Sequence, residues 1–421
     1  MTSCIHVDTF RVNPQTITSL TLFVLGFWST TGQTAERLTI PHQPQPVGTE
    51  RMGGVDIPDV ETLRQMHDSR YVLRAWDGKL QKRIVEKNRL PADPGNVQHI
   101  WMVKSTTSAI YVCRQKHIFK SNDGGRSWTA HPSGDGKLST KFAILDSGDF
   151  VGITGGGASQ DPLSIMQSTD EGQSWKKLTT VQIPQRCQPY SGKYIDGIKR
   201  TSDGTLLFAV DVRMLQPDPE VSKFYNEMWI TLCYRSLDDG KTWEPPSTMC
   251  PWWAGAEGGI AETPSGKLVA TVRYQRPLLP GDPSQLVQQN GGYTNWPYKT
   301  LFLLDSLDGG KSWQNFRQLC TRFGQTRGYP VALEDGTLVV THDTRYGPGG
   351  PGTRAMISHD EGQTWQDEVY YLDYSSAPGS YSSSVALNDG LILTVVGSTR
   401  VGQGHWDAAE MTAIRWKPIV K

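Results

Sequence analysis

Ser306-Leu-Asp-Gly-Gly-Lys-Ser-Trp313 governs how the rest of the chain is read, because near copies stand at 121–128, 168–175, 236–243 and 358–365. All five follow Ser-x-Asp-x-Gly-x-[Ser/Thr]-Trp. One copy would say little, since Ser, Asp and Gly crowd any turn. Five copies with both ends fixed mark a structural repeat. Each residue type has a physical role, in that the Asp accepts backbone N–H groups across a tight turn and the Gly takes the positive φ. The Trp is a large anchor for packing between sheets. The boxes begin 47, 68, 70 and 52 residues apart, which suits one four-stranded sheet and a variable loop per unit.

A second signal runs in step with the first. Short turns between apolar runs occur at 105–108, at Asp146-Ser-Gly-Asp149, Ser202-Asp-Gly-Thr205, Pro264-Ser-Gly-Lys267, Glu334-Asp-Gly-Thr337 and Asn388-Asp-Gly390. Asp-Gly and Ser-Gly between such runs are hairpin signals. Six first hairpins and five boxes predict an all-β, six-bladed β-propeller, with a sixth unit ending in Met411-Thr-Ala-Ile-Arg-Trp416 that lacks its box. The eight-residue pattern is that of the Asp-box of sialidase-like β-propellers, and the resemblance covers most of the chain from about residue 96. It speaks for the fold more than for an activity, since non-enzymatic propellers carry the box too.

Composition agrees with many short strands: Gly 43 and Trp 14 are high, and charges balance at 42 against 42. That balance leaves no global field for nucleic acid or an anionic membrane, so an anionic ligand must be held by local arginines. Near the N-terminus, Leu20-Thr-Leu-Phe-Val-Leu-Gly-Phe-Trp28 is too short to span a bilayer and has the form of a signal-peptide core. The expected division is a leader at 1–35, a Pro-rich N-terminal arm at 36–95 and the propeller at 96–421. Such a protein would be exported, with no membrane span in the mature chain. Within the arm, 60–67 has a helical pattern and 71–76 that of a strand; the arm either closes the ring or lies against its outside. The five cysteines after the leader form no disulfide framework, and only Cys233 with Cys250 merits a test. No metal-ligand spacing and no phosphate-cradling glycine loop occurs, so neither metal nor cofactor is expected.

The same grammar sets the height of side chains. Boxes and first turns share one face of the disc, and the long insertions at 214–226, 275–299 and 346–353 rise on the other. Strand starts on that second face fall near His99, Asp196, Glu257, Arg327 and Tyr381. Strand ends fall near Arg114, Asp211, Arg213, Arg273, Arg345 and Gly397, and Arg354 precedes the third strand of unit five. A structural ring has no need to gather so many ionisable groups at one mouth. Trp252-Trp253, Tyr293 and Trp296 are either sugar-stacking platforms or packing under loops.

Glu257-Gly-Gly-Ile-Ala-Glu-Thr-Pro-Ser-Gly-Lys-Leu-Val-Ala-Thr-Val-Arg273 resembles the sialidase segment in which a catalytic Glu begins one strand and a carboxylate-binding Arg ends the next. Tyr381-Ser-Ser-Ser-Val-Ala-Leu-Asn-Asp-Gly390 resembles the strand of the nucleophilic Tyr. Gly352-Thr-Arg-Ala-Met-Ile-Ser358 resembles the segment carrying the last Arg of the triad. The resemblance implies that Glu257 takes the proton of Tyr381, whose phenolate attacks the anomeric carbon, as sialidases use Tyr for this role. Arg273 and Arg354 would hold a sugar carboxylate. The chain departs from the family in blade one, where His99 stands in place of the first Arg and no acid occurs in Arg114-Gln-Lys-His117. Arg114 or Arg345 are candidates for the missing Arg, and Asp161 or Asp196 for the general acid. The expected activity is release of an acidic sugar from a glycan. The alternatives are a polysaccharide lyase on uronate-containing glycans, with His99 and Tyr381 moving the proton, and a non-catalytic glycan-binding propeller.

Overall fold

A computed structural model of the chain describes residues 58–91, 100–114, 117–134, 141–154, 162–189, 197–215, 229–250, 254–279, 281–319, 323–346, 352–374, 381–399 and 409–419. The leader expected at 1–35 lies outside them. Each of the six expected first turns brings a left-handed residue, at Ser108, Gly148, Gly204, Gly266, Gly336 and Gly390. Such a residue reverses the chain within a few positions and lets two strands pair.

From these hairpins grow six antiparallel sheets, the blades of a six-bladed β-propeller, and the strands of the first five blades follow one another in the chain. Blade one comprises Trp101–Lys104, Ile110–Arg114, His117–Ser121 and Thr129–Pro132, and blade two runs from Lys141–Ile144 to Lys176–Val181. Blade three is built on Leu206–Met214, Trp229–Ser236 and Ser247–Cys250, with two short inner pieces, Cys187–Pro189 and Lys199–Arg200. Blade four is Ala254–Glu262, Leu268–Arg276, Tyr298–Ser306 and Gln314–Gln318. Blade five is Gln325–Ala332, Leu338–Thr344, Gly352–Ser358 and Glu368–Tyr374. The first strands of all six line a central channel of about 290 Å³.

Alternation along each strand sends one set of apolar side chains to each neighbouring blade. Leu301 and Leu303 of blade four meet Leu338, Val340 and Met356 of blade five. Ile110 and Val112 of blade one meet Leu393 and Val395 of blade six. The core is therefore a set of seams between blades, and burial of these side chains is the main force closing the ring.

The five box turns share one hydrogen-bond pattern. In the second, Ser168 Oγ donates to Asp170 Oδ1 at 2.7 Å, while Ser174 gives its N–H to Oδ1 at 2.8 Å and its hydroxyl to Oδ2 at 2.5 Å. The Ser174 hydroxyl, with further hydrogen bonds working against desolvation, holds the Asp170 carboxyl down at about 2. The box glycine is required twice over: Gly172 has φ +84°, and a Cβ there would strike Ile118 of blade one. Trp175 donates its indole N–H to Gly172 O at 2.9 Å and lies beside Phe142 and Phe150. Each such turn staples a blade to its surroundings at the lower face.

Blade six is built differently. Ser382–Ala386, Ile392–Thr399 and Ala409–Trp416 come from the C-terminal end of the chain, while the fourth strand is Glu86–Arg89, in register from Thr412↔Arg89 to Arg415↔Glu86. No connection joins its third and fourth strands, so there is no turn for a box to occupy. The described part of the arm takes both places open to it. Tyr71–Trp76 and Lys79–Ile84 extend blade five outward, held by Leu73↔Tyr371 pairing and a buried Arg74 Nε–Glu368 Oε1 ion pair at 2.6 Å. The helix Val60–His67, capped by Asp59 accepting from Thr62 N–H at 2.7 Å, buries Leu63 and Met66 against the same blade. Cys233 and Cys250 are buried on neighbouring strands out of register and form no disulfide with each other, and burial pushes the Cys233 thiol up to about 12. Among the described residues no helix is long and apolar enough to cross a membrane.

Candidate active site

The upper mouth is shaped by irregularities at the same height in two adjoining blades. In blade four the register passes from Gly255↔Arg273 to Gly259↔Thr271, so residues 256–258 stand opposite one partner. In blade five it passes from Thr326↔Asp343 to Tyr329↔Thr341, leaving Arg327 and Gly328 opposite one. Such bulges re-aim side chains away from the regular pleat. Arg327 sits in the left-handed region at φ 56°, uncommon for a residue with a Cβ. A Cβ on Gly258 would collide with the Thr271 carbonyl, so the chain can bulge there only at glycine. The Thr271 hydroxyl accepts from Gly259 N–H at 3.1 Å and donates to the Gly328 carbonyl, tying the two bulges together.

Glu257 is thereby presented, buried, at the centre of a charged cluster. Its Oε2 receives Arg273 Nη1 and, at 3.1 Å, Arg327 Nε. Its Oε1 receives the Tyr381 hydroxyl at 3.2 Å. The Arg327 guanidinium carbon lies 3.4 Å from the centre of the Tyr381 ring. Asp343 Oδ2 bridges Arg327 Nη1 and Arg345 Nε, each at 3.5 Å, and Asp343 Oδ1 accepts from Thr326. Tyr381 is anchored through its backbone, its carbonyl accepting Gly397 N–H at 2.9 Å.

Lys299 faces the cluster from the third strand of blade four. Burial first, then Arg273, Arg345 and Arg327, push its ammonium down to about 6 against the opposing pull of Asp343. Its Nζ donates to Asn290 Oδ1 at 2.5 Å, and Tyr346 gives its hydroxyl to the same atom at 3.0 Å. Asn290 caps the short helix Gln285–Gln289, so the insertion of blade four is tied to the charged mouth. Arg345 Nη2 is buried with no hydrogen-bond partner among the described residues. Three arginines against two carboxylates leave the mouth net positive even above about pH 6, where Lys299 is neutral, and so suited to an anion.

Glu257, Arg273, Tyr381 and Arg345, expected from the sequence at this face, converge in one cluster. Arg354 stands directly opposite His342 and so on the face of blade five whose Val340 and Met356 pack against blade four. Thr271 and, two residues on, Arg273 face that seam from the other side; Arg354 lies 5.1 Å from the Tyr371 ring centre. Arg114 ends the second strand of blade one, buried on the side of Ile110 and Val112 that packs against blade six. His99, Asp161, Asp196, Trp252 and Trp253 lie outside the described residues. Trp296 packs against Trp229, with ring centres 4.5 Å apart and planes tilted by 38°, while Tyr293 is exposed. Asp343 and Lys299 are not singled out by the sequence, and Arg327 is counted there at the mouth without a role. The parallel Glu257-Gly258 and Arg327-Gly328, each the same distance before its first turn, is the signal that could have found it. Among the described residues no group of three or more His, Cys, Asp or Glu is placed to hold a metal ion.

No protein-family model and no curated protein matches the sequence. Solved structures do share the fold. A Dyadobacter fermentans protein of unknown function aligns at 16% identity over 79% of this chain and 98% of its own, with a TM-score of 0.54. An α-L-arabinofuranosidase of Fusarium graminearum, solved with an iminosugar inhibitor, aligns at 13% identity over 79% of this chain and 97% of its own, with a TM-score of 0.51. At these identities the chain is similar to both in fold alone.

Proposed function

We propose that this protein is a sialidase-like exo-glycosidase that releases an acidic sugar from glycans. The observation that carries the reading is the Tyr381 hydroxyl hydrogen-bonded to Glu257 Oε1 at 3.2 Å inside an arginine-rich mouth. Glu257 accepts the phenolic proton, and the phenolate forms a bond to the anomeric carbon as the bond to the aglycone oxygen breaks with its electron pair. The aglycone takes its proton from solvent or from an acid, for which Asp161 and Asp196 are the candidates. Water then bonds to the anomeric carbon, giving its proton to the solvent or acid that protonated the aglycone, as the bond to Tyr381 breaks and the phenolate recovers its proton from Glu257. A neutral phenol suits an anionic substrate, because a carboxylate nucleophile would repel the sugar acid. Arg273 and Arg354, with Arg345 or Arg114 in place of the family's first arginine, supply guanidinium groups for that acid.

The test is glycan-release profiling with a broad panel of sialosides. Free acidic sugar is expected, with Tyr381→Phe lowering kcat about 10³-fold or more while the protein stays folded. A folded protein that frees no acidic sugar from the panel would overturn the substrate assignment. New ultraviolet absorbance from an unsaturated uronate would instead make the protein a lyase, and no turnover of either kind would leave a glycan-binding propeller.

A further inference from the structure

Arg327 touches both members of the proton-transferring pair, which neither its place in the repeat nor the family resemblance requires. Its Nε donates to Glu257 Oε2 at 3.1 Å, and the same planar group covers the Tyr381 ring with its carbon 3.4 Å from the ring centre. The far end of the guanidinium reaches Asp343 Oδ2 at 3.5 Å, so the group is gripped at both ends. To sit there, the backbone adopts φ 56° at a residue with a long side chain. Backbone conformations of this kind persist only where the surroundings impose them, and they gather at functional sites.

The charge accounting gives this geometry its meaning. Before proton transfer the negative charge is on Glu257; afterwards the Tyr381 O–H bond has broken, a Glu257 O–H bond has formed, and the charge is on the phenolate. A cation bonded to Glu257 alone would lose its partner in that step and oppose it. Arg327 loses a carboxylate and gains a phenolate whose electron-rich face it already covers, and cation–π attraction strengthens as the ring becomes anionic. We propose that Arg327 is a positioning residue that carries the negative charge from Glu257 to Tyr381, keeping the base ionised at rest and stabilising the phenolate across its ring face. Among the described residues the other charged groups facing this pair are Arg273 and Lys299 from blade four, and Asp343 and Arg345 from blade five. The consequence for catalysis rests on the nucleophile–base reading above; the effect on Tyr381 ionisation does not.

Two readouts separate these. Ultraviolet difference titration of the full chain against its Tyr381→Phe variant isolates the ionisation of that phenol without any substrate. In an Arg327→Gln background, compared with Arg327→Gln/Tyr381→Phe, Tyr381 should ionise about one to two pH units higher. Arg327→Lys keeps the charge but loses the planar face and the Nε donor, and should shift it the same way by less. With a turned-over glycoside, both variants should lower kcat with little change in KM, and the acid limb of kcat/KM should rise by about one pH unit as Glu257 becomes easier to protonate. An unmoved Tyr381 titration in a folded variant would overturn the proposal, as would failure of both variants to fold, which would make Arg327 a structural bolt. If the wild type turns over no glycoside, the assigned activity falls while the titration still decides the role of Arg327.

Discussion

Lys299 shows how a single residue reports on the whole mouth. Its ammonium is pushed down to about 6 by burial and by three arginines, from an ordinary value of 10.5. Below about pH 6 it is charged in folded and unfolded chains alike, and above 10.5 it is neutral in both. Between the two the unfolded chain holds more protons, so stability rises with pH across that window. Lys299→Met should therefore flatten the pH dependence of the thermal midpoint, with the largest gain over wild type at and below about pH 6. A bound carboxylate would offset the arginine field and draw a proton onto Lys299. Titration calorimetry with a free sialic acid at about pH 7, in buffers of different ionisation enthalpy, should show uptake of up to about one proton per ligand, and Lys299→Met should abolish it. Uptake unchanged in that variant would place the titrating group elsewhere.

At the scale of elements, turns and bulges divide the labour between the two faces. Asp170 holds its box by accepting from Ser168 and Ser174. Its carboxyl is depressed to about 2 from 3.8, so the stability it contributes is present above about pH 3.8 and lost as pH falls through 2. Asp170→Asn should cost about 1–2 kcal/mol in denaturant unfolding at neutral pH, with unchanged activity per folded molecule, because the box lies at the end away from Glu257. Gly258→Ala acts at the other face. Its Cβ would meet the Thr271 carbonyl, so the bulge must open, at a cost of about 1–3 kcal/mol. Unlike the box variant, it should also lose the Tyr381–Glu257 alignment and most turnover.

At the scale of the whole molecule, the propeller is completed by pairing a strand of the arm with the last strand of blade six. Glu86–Arg89 is the outer strand of blade six, and its ladder, from Arg415↔Glu86 to Thr412↔Arg89, pairs the arm with the last strand of the chain. Removing residues up to 91 should expose the edge of Ala409–Trp416, lower the thermal midpoint and promote aggregation through that edge. Removing residues up to 57 keeps Glu86–Arg89 and every other described element, and is the control. Differential scanning calorimetry with light scattering distinguishes the two truncations; equal midpoints would mean that the outer strand does not close the ring.

Much of this is open to a reader of the sequence, because it is local. The five boxes, the six first turns, the helix Val60–His67 and the strand Tyr71–Trp76 are each written in a few adjacent residues, and local hydrogen bonds and periodicity dictate their form. Counting from the turns also sets height, which brings Glu257, Arg273, Arg345 and Tyr381 to one face. Periodicity does not say which side chains meet across a seam, or where a strand slips register. The joining of Glu257, Arg273, Arg327, Asp343 and Tyr381 depends on two bulges and on contacts between three blades, and the closing of blade six depends on pairing the two ends of the chain. Those contacts exist only once loop-closure entropy has been overcome by burial between blades, so tertiary structure alone decides them.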